Sequence, residues 1–148
     1  MTNNSPDPAW AAAAVLIGRL IFAGIFFMAL AFKLTNISGT ASYIAAAGFP
    51  FPALLTWLAA LLELVLAVCL LTGAFFSEAA LLAAGYILFL AFAFHGPSHW
   101  SGNQTEFGFF VDHFTFIAGL MFAAAHGPGA RLAMSYGRLG QRRSPRTG

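Results

Sequence analysis

The sequence predicts an all-α membrane protein, a bundle of four transmembrane helices with both termini in the cytoplasm. Hydrophobic residues make up 59% of the 148 residues and charged residues only 8%, far from a soluble composition. Four apolar runs are long enough to cross a bilayer as helices. The basic residues concentrate in the last eighteen positions, and the connections between the runs contain no Lys or Arg. The positive-inside rule therefore places both ends in the cytoplasm.

The predicted organisation is one membrane domain, residues 10–130, between two polar ends. Residues 1–9 are polar and proline-rich and are expected to be disordered, and they lack the basic start of a signal peptide. Residues 131–148 form a basic cytoplasmic tail. The turn residues between the apolar runs predict spans over about 10–34, 52–73, 76–95 and 107–126, with a short interfacial helix over 40–47.

Charge and cysteine content exclude several classes of function. A net charge of +2, with most basic residues in the tail, is not the pattern of a nucleic-acid-binding protein. Cys69 is the only cysteine, so neither an intrachain disulfide nor a C-x-x-C redox pair can form. The partner that the composition does predict is the lipid bilayer.

Glu63 lies near the middle of the second apolar run, where a carboxylate is costly unless it meets a partner inside the bundle. Arg19 in the first run lies at a similar predicted depth, about 13 Å from the cytoplasmic start of its helix. We therefore predict a buried Arg19–Glu63 ion pair. Two interpretations of this pair are open: a clamp that fixes helix docking, or a functional site.

A second group of polar residues falls near the predicted extracytoplasmic ends of the helices. Its members are Lys33, Tyr43, His95, Asp112 and His113. One interpretation places them at the level of the lipid headgroups, with a Lys33–Asp112 pair. The other is a ligand pocket in which Lys33 or a histidine donates a hydrogen bond to the carbonyl of a quinone-like molecule.

A metal or haem site is not predicted among these residues. The spacing of His95 and His99 would suit two ligands on one helical face, but Gly96 and Pro97 interrupt the helix between them. No second sign of haem accompanies His95 and His113. The cofactor is therefore undetermined from the residues, with quinone as the candidate.

At these residues the chain resembles the DoxX family of small four-helix membrane proteins. The resemblance covers about residues 19–135 and rests on three stretches, RLIFAGIFFMALAFKLT, YIAAAGFPFPALLTWLAALLELVLAVCLLTG and FVDHFTFIAGLMFAAAHGPGARLAMS. It implies that Arg19, Lys33 and Glu63 are the characteristic polar positions of the family. It also implies a bacterial inner-membrane location and an association with membrane oxidoreductase complexes. The oxidoreductase complexes that have been linked to the family act in thiosulfate:quinone oxidation and in defence against oxidative stress.

Two functions are open at this point. The first is a membrane anchor or quinone-interacting subunit of an oxidoreductase complex, which would need a soluble redox protein as partner because the chain has no catalytic motif of its own. The alternative is a small transporter or assembly factor in which buried Glu63 binds a proton or cation. The residues leave the substrate, the partner and the oligomeric state, homo-oligomer included, undetermined.

Overall fold

The computed structural model describes residues 8–129 and 133–134, and this part of the chain is helical throughout apart from its turns. Four helices are long and apolar enough to cross a membrane, which confirms the predicted class. The helices are α1 (Ala9–Thr35), α2 (Ile37–Ala46), α3 (Pro52–Thr72), α4 (Phe76–His95) and α5 (Gln104–His126), with a 3-10 turn at Pro97–His99 between α4 and α5.

Two helices begin three residues earlier than the apolar pattern predicts. The side-chain oxygen of Asn36 accepts a hydrogen bond from the Gly39 amide at 2.9 Å, so the short helix α2 starts at residue 37 and not at 40. Asn103 caps α5 in the same way, accepting from the Glu106 amide. Asparagine at the N-cap satisfies an amide that has no partner inside the helix, and both helices therefore extend into polar sequence.

The bundle consists of two helix pairs. The helix α1 packs along α3, and α4 packs along α5, while α3 and α4 join the pairs. Contacts between early residues of α1 and late residues of α3 show that these two helices are antiparallel. Many buried positions are alanines, which let the helix backbones approach closely.

Two glycines of α5, one towards each end of the bundle, differ in the space around them. We call the end where α1 begins and α3 and α5 finish the terminal end, and the opposite end, covered by α2, the α2 end. Towards the terminal end, a Cβ at Gly119 of α5 would stand 2.9 Å from the ring of Phe22 on α1. Towards the α2 end, a Cβ at Gly108 of the same helix would meet nothing within 4 Å.

The orientation of the bundle in the membrane stays a prediction. It rests on the arginines of the predicted tail, all of which lie outside the described residues. The disorder predicted for residues 1–9 and the predicted tail over 131–148 both fall largely outside the described range too.

Candidate functional site: a cavity beside a buried ion pair

The predicted Arg19–Glu63 ion pair is not formed, and the prediction was wrong. Arg19 is buried near the terminal end, where its guanidinium donates to backbone carbonyl oxygens. Its Nε and Nη2 donate to the carbonyls of Leu70 (3.3 Å) and Leu71 (2.6 Å), and its Nη1 donates to Pro128 O at 3.1 Å. Arg19 thus ties α1 to the end of α3 and to the segment after α5.

These bonds complete the end of α3. The last four carbonyls of a helix have no partner within it. In α3, the amide of Gly73 donates to Cys69 O at 2.8 Å and the amide of Met134 donates to Thr72 O at 2.9 Å. Arg19 supplies the donors for the two carbonyls between them. The negative end of the helix dipole is also a favourable place for a cation.

Helix direction explains why equal depth did not bring the two charges together. The Cα–Cβ bond of each helical residue tilts towards the N-terminus of its own helix. Because α1 and α3 are antiparallel, the side chain of Arg19 leans to the terminal end and that of Glu63 leans to the α2 end. Lys33, in the last turn of α1, leans back towards the middle of the bundle. Glu63 therefore meets Lys33.

Glu63 is the centre of a polar contact that joins three helices. Lys33 Nζ on α1 lies 2.7 Å from Glu63 Oε1, and the Tyr86 hydroxyl on α4 donates to the same oxygen at 2.9 Å. The Glu63 side chain is 2% exposed and that of Lys33 is 19% exposed. Within residues 8–129 and 133–134, Glu63 Oε2 has no hydrogen-bond partner. Of the three N–H groups of the Lys33 ammonium, one has a hydrogen-bond partner among the described residues, the Glu63 carboxylate.

A cavity of about 420 Å³ adjoins this contact. Lys33 and Tyr86 form its polar wall towards the bundle centre, and His95 and His113 lie on its wall as well. Its volume is in the range of small-molecule sites. The remaining lining is apolar apart from Thr40 and Tyr43, and comprises Ile44, Phe49, Leu55, Leu58, Ala59, Leu62, Phe89, Leu90 and Phe94.

The two histidines belong to a second polar group at the α2 end. His95 Nδ1 lies 2.6 Å from Glu106 Oε2, and the indole of Trp100 donates to His95 O at 2.8 Å. His113 Nδ1 lies 2.6 Å from the carbonyl oxygen of Phe109. A carbonyl and a carboxylate only accept, so both Nδ1 atoms carry the proton, and in a neutral ring Nε2 is then an acceptor. The two imidazole centroids are 5.1 Å apart.

The short helix α2 covers the cavity. Tyr43 stacks on Phe94 of α4, with ring centroids 5.0 Å apart and planes 16° apart. Burial, with a smaller contribution from the Glu106 carboxylate, raises the pKa of the Tyr43 phenol above its usual value. The phenol therefore stays protonated and keeps its hydrogen-bond donor at neutral pH.

Four of the five predicted pocket residues line this cavity, and Asp112 does not. The four are Lys33, Tyr43, His95 and His113, and Asp112 is exposed on α5. The alternative Lys33–Asp112 pair is also replaced, since Lys33 contacts Glu63. Within residues 8–129 and 133–134, no three His, Cys, Asp or Glu side chains are placed to hold a metal ion.

The sequence interpretation missed Tyr86, which contributes the third helix to the Glu63 contact. A signal was present, because Tyr86 is the only side chain with a polar group in the apolar run 79–94. A buried tyrosine hydroxyl in such a run requires a partner. Glu106 was also left out of the predicted pocket, although its carboxylate lies 2.6 Å from His95 Nδ1.

Comparison with known proteins agrees with this architecture. Residues 14–96 match the family model described as DoxX. The chain belongs to the DoxX family. It is 32% identical over 116 residues to "Inner membrane protein YqjF" of Escherichia coli (strain K12), an alignment that covers 78% of this chain and 85% of that protein. No solved structure matches.

Family membership and the four apolar helices identify this DoxX protein as a multi-pass protein of the inner membrane. The lipid bilayer is thus its surroundings. The characteristic positions implied by the resemblance fall into two separate places: Arg19 at the terminal end, and Lys33 with Glu63 beside the cavity.

The chemistry available in the cavity is hydrogen bonding at its two polar ends. Tyr86 and His95 are nine residues apart on α4, about 13 Å along the helix axis. This separation exceeds the width of one six-membered ring with its two carbonyl oxygens. The Lys33 end offers charged N–H donors, whereas the histidine end offers imidazole nitrogens. The apolar wall between them suits a hydrocarbon ring.

Proposed function

We propose that this DoxX protein binds a quinone-type molecule in the cavity and serves as the quinone-interacting membrane subunit of an oxidoreductase complex. The observation that carries the proposal is the convergence of an ammonium group and a tyrosine hydroxyl on one end of a cavity whose remaining wall is mostly apolar and aromatic. Such a site binds a flat apolar ring and orients it through a few polar groups.

In this proposal, Lys33 is the group that contacts the ligand. One of its N–H groups is used by Glu63, which leaves two N–H donors on a side chain that lines the cavity. A charge-assisted hydrogen bond from Lys33 to a quinone carbonyl oxygen is stronger than a neutral one. Glu63 and Tyr86 hold the ammonium in place. A soluble redox protein would exchange electrons with the bound quinone.

The first experiment is a thermal-shift measurement on the purified protein with a short-chain benzoquinone analogue. We expect the analogue to raise the Tm of the parent. The double variant Lys33→Met with Glu63→Leu removes the ammonium and its counter-charge together, so it folds without a lone buried charge. It should show no shift. The control His99→Ala removes an exposed histidine outside the cavity and should keep the full shift.

No shift in the parent, or an equal shift in the double variant, would contradict the assignment of the cavity. Co-purification from native membranes tests the other half of the proposal. A soluble flavin- or metal-containing redox protein should be recovered with the parent. Its absence would contradict the role as a subunit of an oxidoreductase complex.

A second function, proton- or cation-coupled transport, is favoured by one specific observation. Glu63 Oε2 is buried and has no hydrogen-bond partner among the described residues, so this oxygen can accept a proton or contact a cation. In vesicles, this function predicts a flux that depends on pH and is abolished by Glu63→Gln. If the parent shows no such flux, the transport function is contradicted and only the quinone proposal remains.

A further inference from the structure

A shallow apolar groove on the outside of α4 adjoins the cavity. The two share the rings of Phe49 and Phe89, which lie 5.8 Å apart at 63° in an edge contact. The groove is lined by Phe49, Gly85, Leu88, Phe89, Phe92 and Ala93.

We infer that the groove holds the hydrocarbon tail of the ligand whose ring occupies the cavity. This inference rests on the proposed function and specifies the ligand further, as a membrane quinone with a long prenyl or alkyl chain. The tail would leave the cavity across the outer edges of the Phe49 and Phe89 rings, which line both spaces, and then follow α4 to Gly85.

The direction of the groove supports this occupant. Gly85 lies halfway along α4, whereas Ala93 lies near its α2 end. A chain that enters the groove at Phe89 and continues to Gly85 runs parallel to the lipid chains and reaches the middle of the bilayer. That is where a long hydrocarbon tail is at no disadvantage relative to lipid. The ring, in contrast, remains beside Lys33 and Tyr86.

Gly85 is the residue that keeps the groove open. A Cβ at this position would meet nothing within 4 Å, so packing inside the protein does not require glycine. Glycine also costs about 1 kcal/mol relative to alanine in a helix interior. The space that its missing side chain leaves is on the outside of α4. A larger residue would therefore fill the groove while the fold is retained.

The test uses a benzoquinone ring carrying an alkyl tail with a diazirine, on the full-length protein in nanodiscs. After illumination, mass spectrometry maps the labelled residues. We expect labels on Leu88, Phe92 and their neighbours on α4. A tail-less benzoquinone in excess should remove these labels, because the ring anchors the tail. Gly85→Leu should lose most of the α4 labelling, and Gly24→Leu should keep it. Gly24 is a matched control, an exposed helical glycine on α1 with nothing within 4 Å of its Cβ.

The outcomes separate this inference from the proposed function. Labelling that the tail-less ring competes away, but that lies elsewhere, would overturn the tail path and leave the quinone site standing. Absence of any competed labelling would overturn both. A phospholipid carrying the same diazirine provides the last comparison: if it labels the groove equally and the quinone ring does not compete, the groove holds bulk lipid and the inference is wrong. A change of oligomeric state in Gly85→Leu with unaltered labelling would likewise overturn it.

Discussion

Two buried charged groups in this protein are satisfied in opposite ways. Arg19 uses several guanidinium N–H groups on backbone carbonyls and, together with two amides, completes the end of α3. Glu63 uses one oxygen for two donors, while its other oxygen has no hydrogen-bond partner within the described part of the chain. The two groups also differ in the space beside them, because the cavity adjoins the Glu63 contact.

The difference indicates how a membrane protein separates structure from function. A charge whose bonds join helix ends stabilises the fold and leaves little to offer a ligand. A charge pair with spare donor and acceptor capacity beside an open space can bind one. Charged residues within the membrane are therefore better judged by what remains unsatisfied than by their presence alone.

The largest effect should follow removal of the Arg19 guanidinium. Arg19→Met leaves the carbonyls of Leu70, Leu71 and Pro128 without these donors. Hydrogen bonds to charged groups contribute about 1.5–3 kcal/mol each, so we expect a loss of about 4 kcal/mol in unfolding free energy. Arg19→Lys should recover only part of the lost stability, since a point charge cannot replace the guanidinium fork. Thermal unfolding in detergent measures both, and a loss under about 1 kcal/mol would remove the structural role of Arg19.

The next effect concerns the Lys33–Glu63 pair. Lys33→Met leaves a buried carboxylate with one donor, and we expect a loss of about 3 kcal/mol. The double variant Lys33→Met with Glu63→Leu should lie within about 1 kcal/mol of the parent, because no lone charge remains. The same thermal measurement decides the point. Additive losses from the two single variants would contradict a direct contact.

A smaller effect is expected at Tyr86. Tyr86→Phe removes one hydrogen bond to Glu63 and leaves Lys33 in place, for an expected loss of about 1.5 kcal/mol. Tyr43→Phe is the matched control, because the Tyr43 hydroxyl makes no hydrogen bond to the part of the chain that the structure describes. Its stability should be unchanged within about 0.5 kcal/mol. Equal effects from the two variants would show that Tyr86 does not support Glu63.

The smallest effect compares the two halves of α5. A methyl at Gly119 pushes against the Phe22 ring, and Gly119→Ala should cost about 1 kcal/mol. Gly108→Ala faces open space and should be neutral or stabilising by up to about 1 kcal/mol, because alanine is the better helix former. The reverse order in thermal unfolding would contradict this difference in the space around the two glycines.

The apolar runs predicted the four helices because length and hydropathy alone decide what can span a bilayer. The positions of Lys33, His95 and His113 near predicted helix ends placed them at one end of the bundle, and these residues do line one cavity. The partner of Glu63 was missed for two physical reasons. Side chains on antiparallel helices lean in opposite directions, and a helix end supplies carbonyl partners that no count of charged residues includes.

Arg19 also has a consequence for biosynthesis. Its carbonyl partners are 51, 52 and 109 residues further along the chain. Because the N-terminal part of the chain emerges first, α1 enters the membrane before any of these partners has been made. The apolar residues around the arginine must therefore outweigh its cost of insertion into the membrane, which is about 3 kcal/mol. The last of these hydrogen bonds forms only after α5 has been synthesised, so the first helix to insert is among the last to be locked in place.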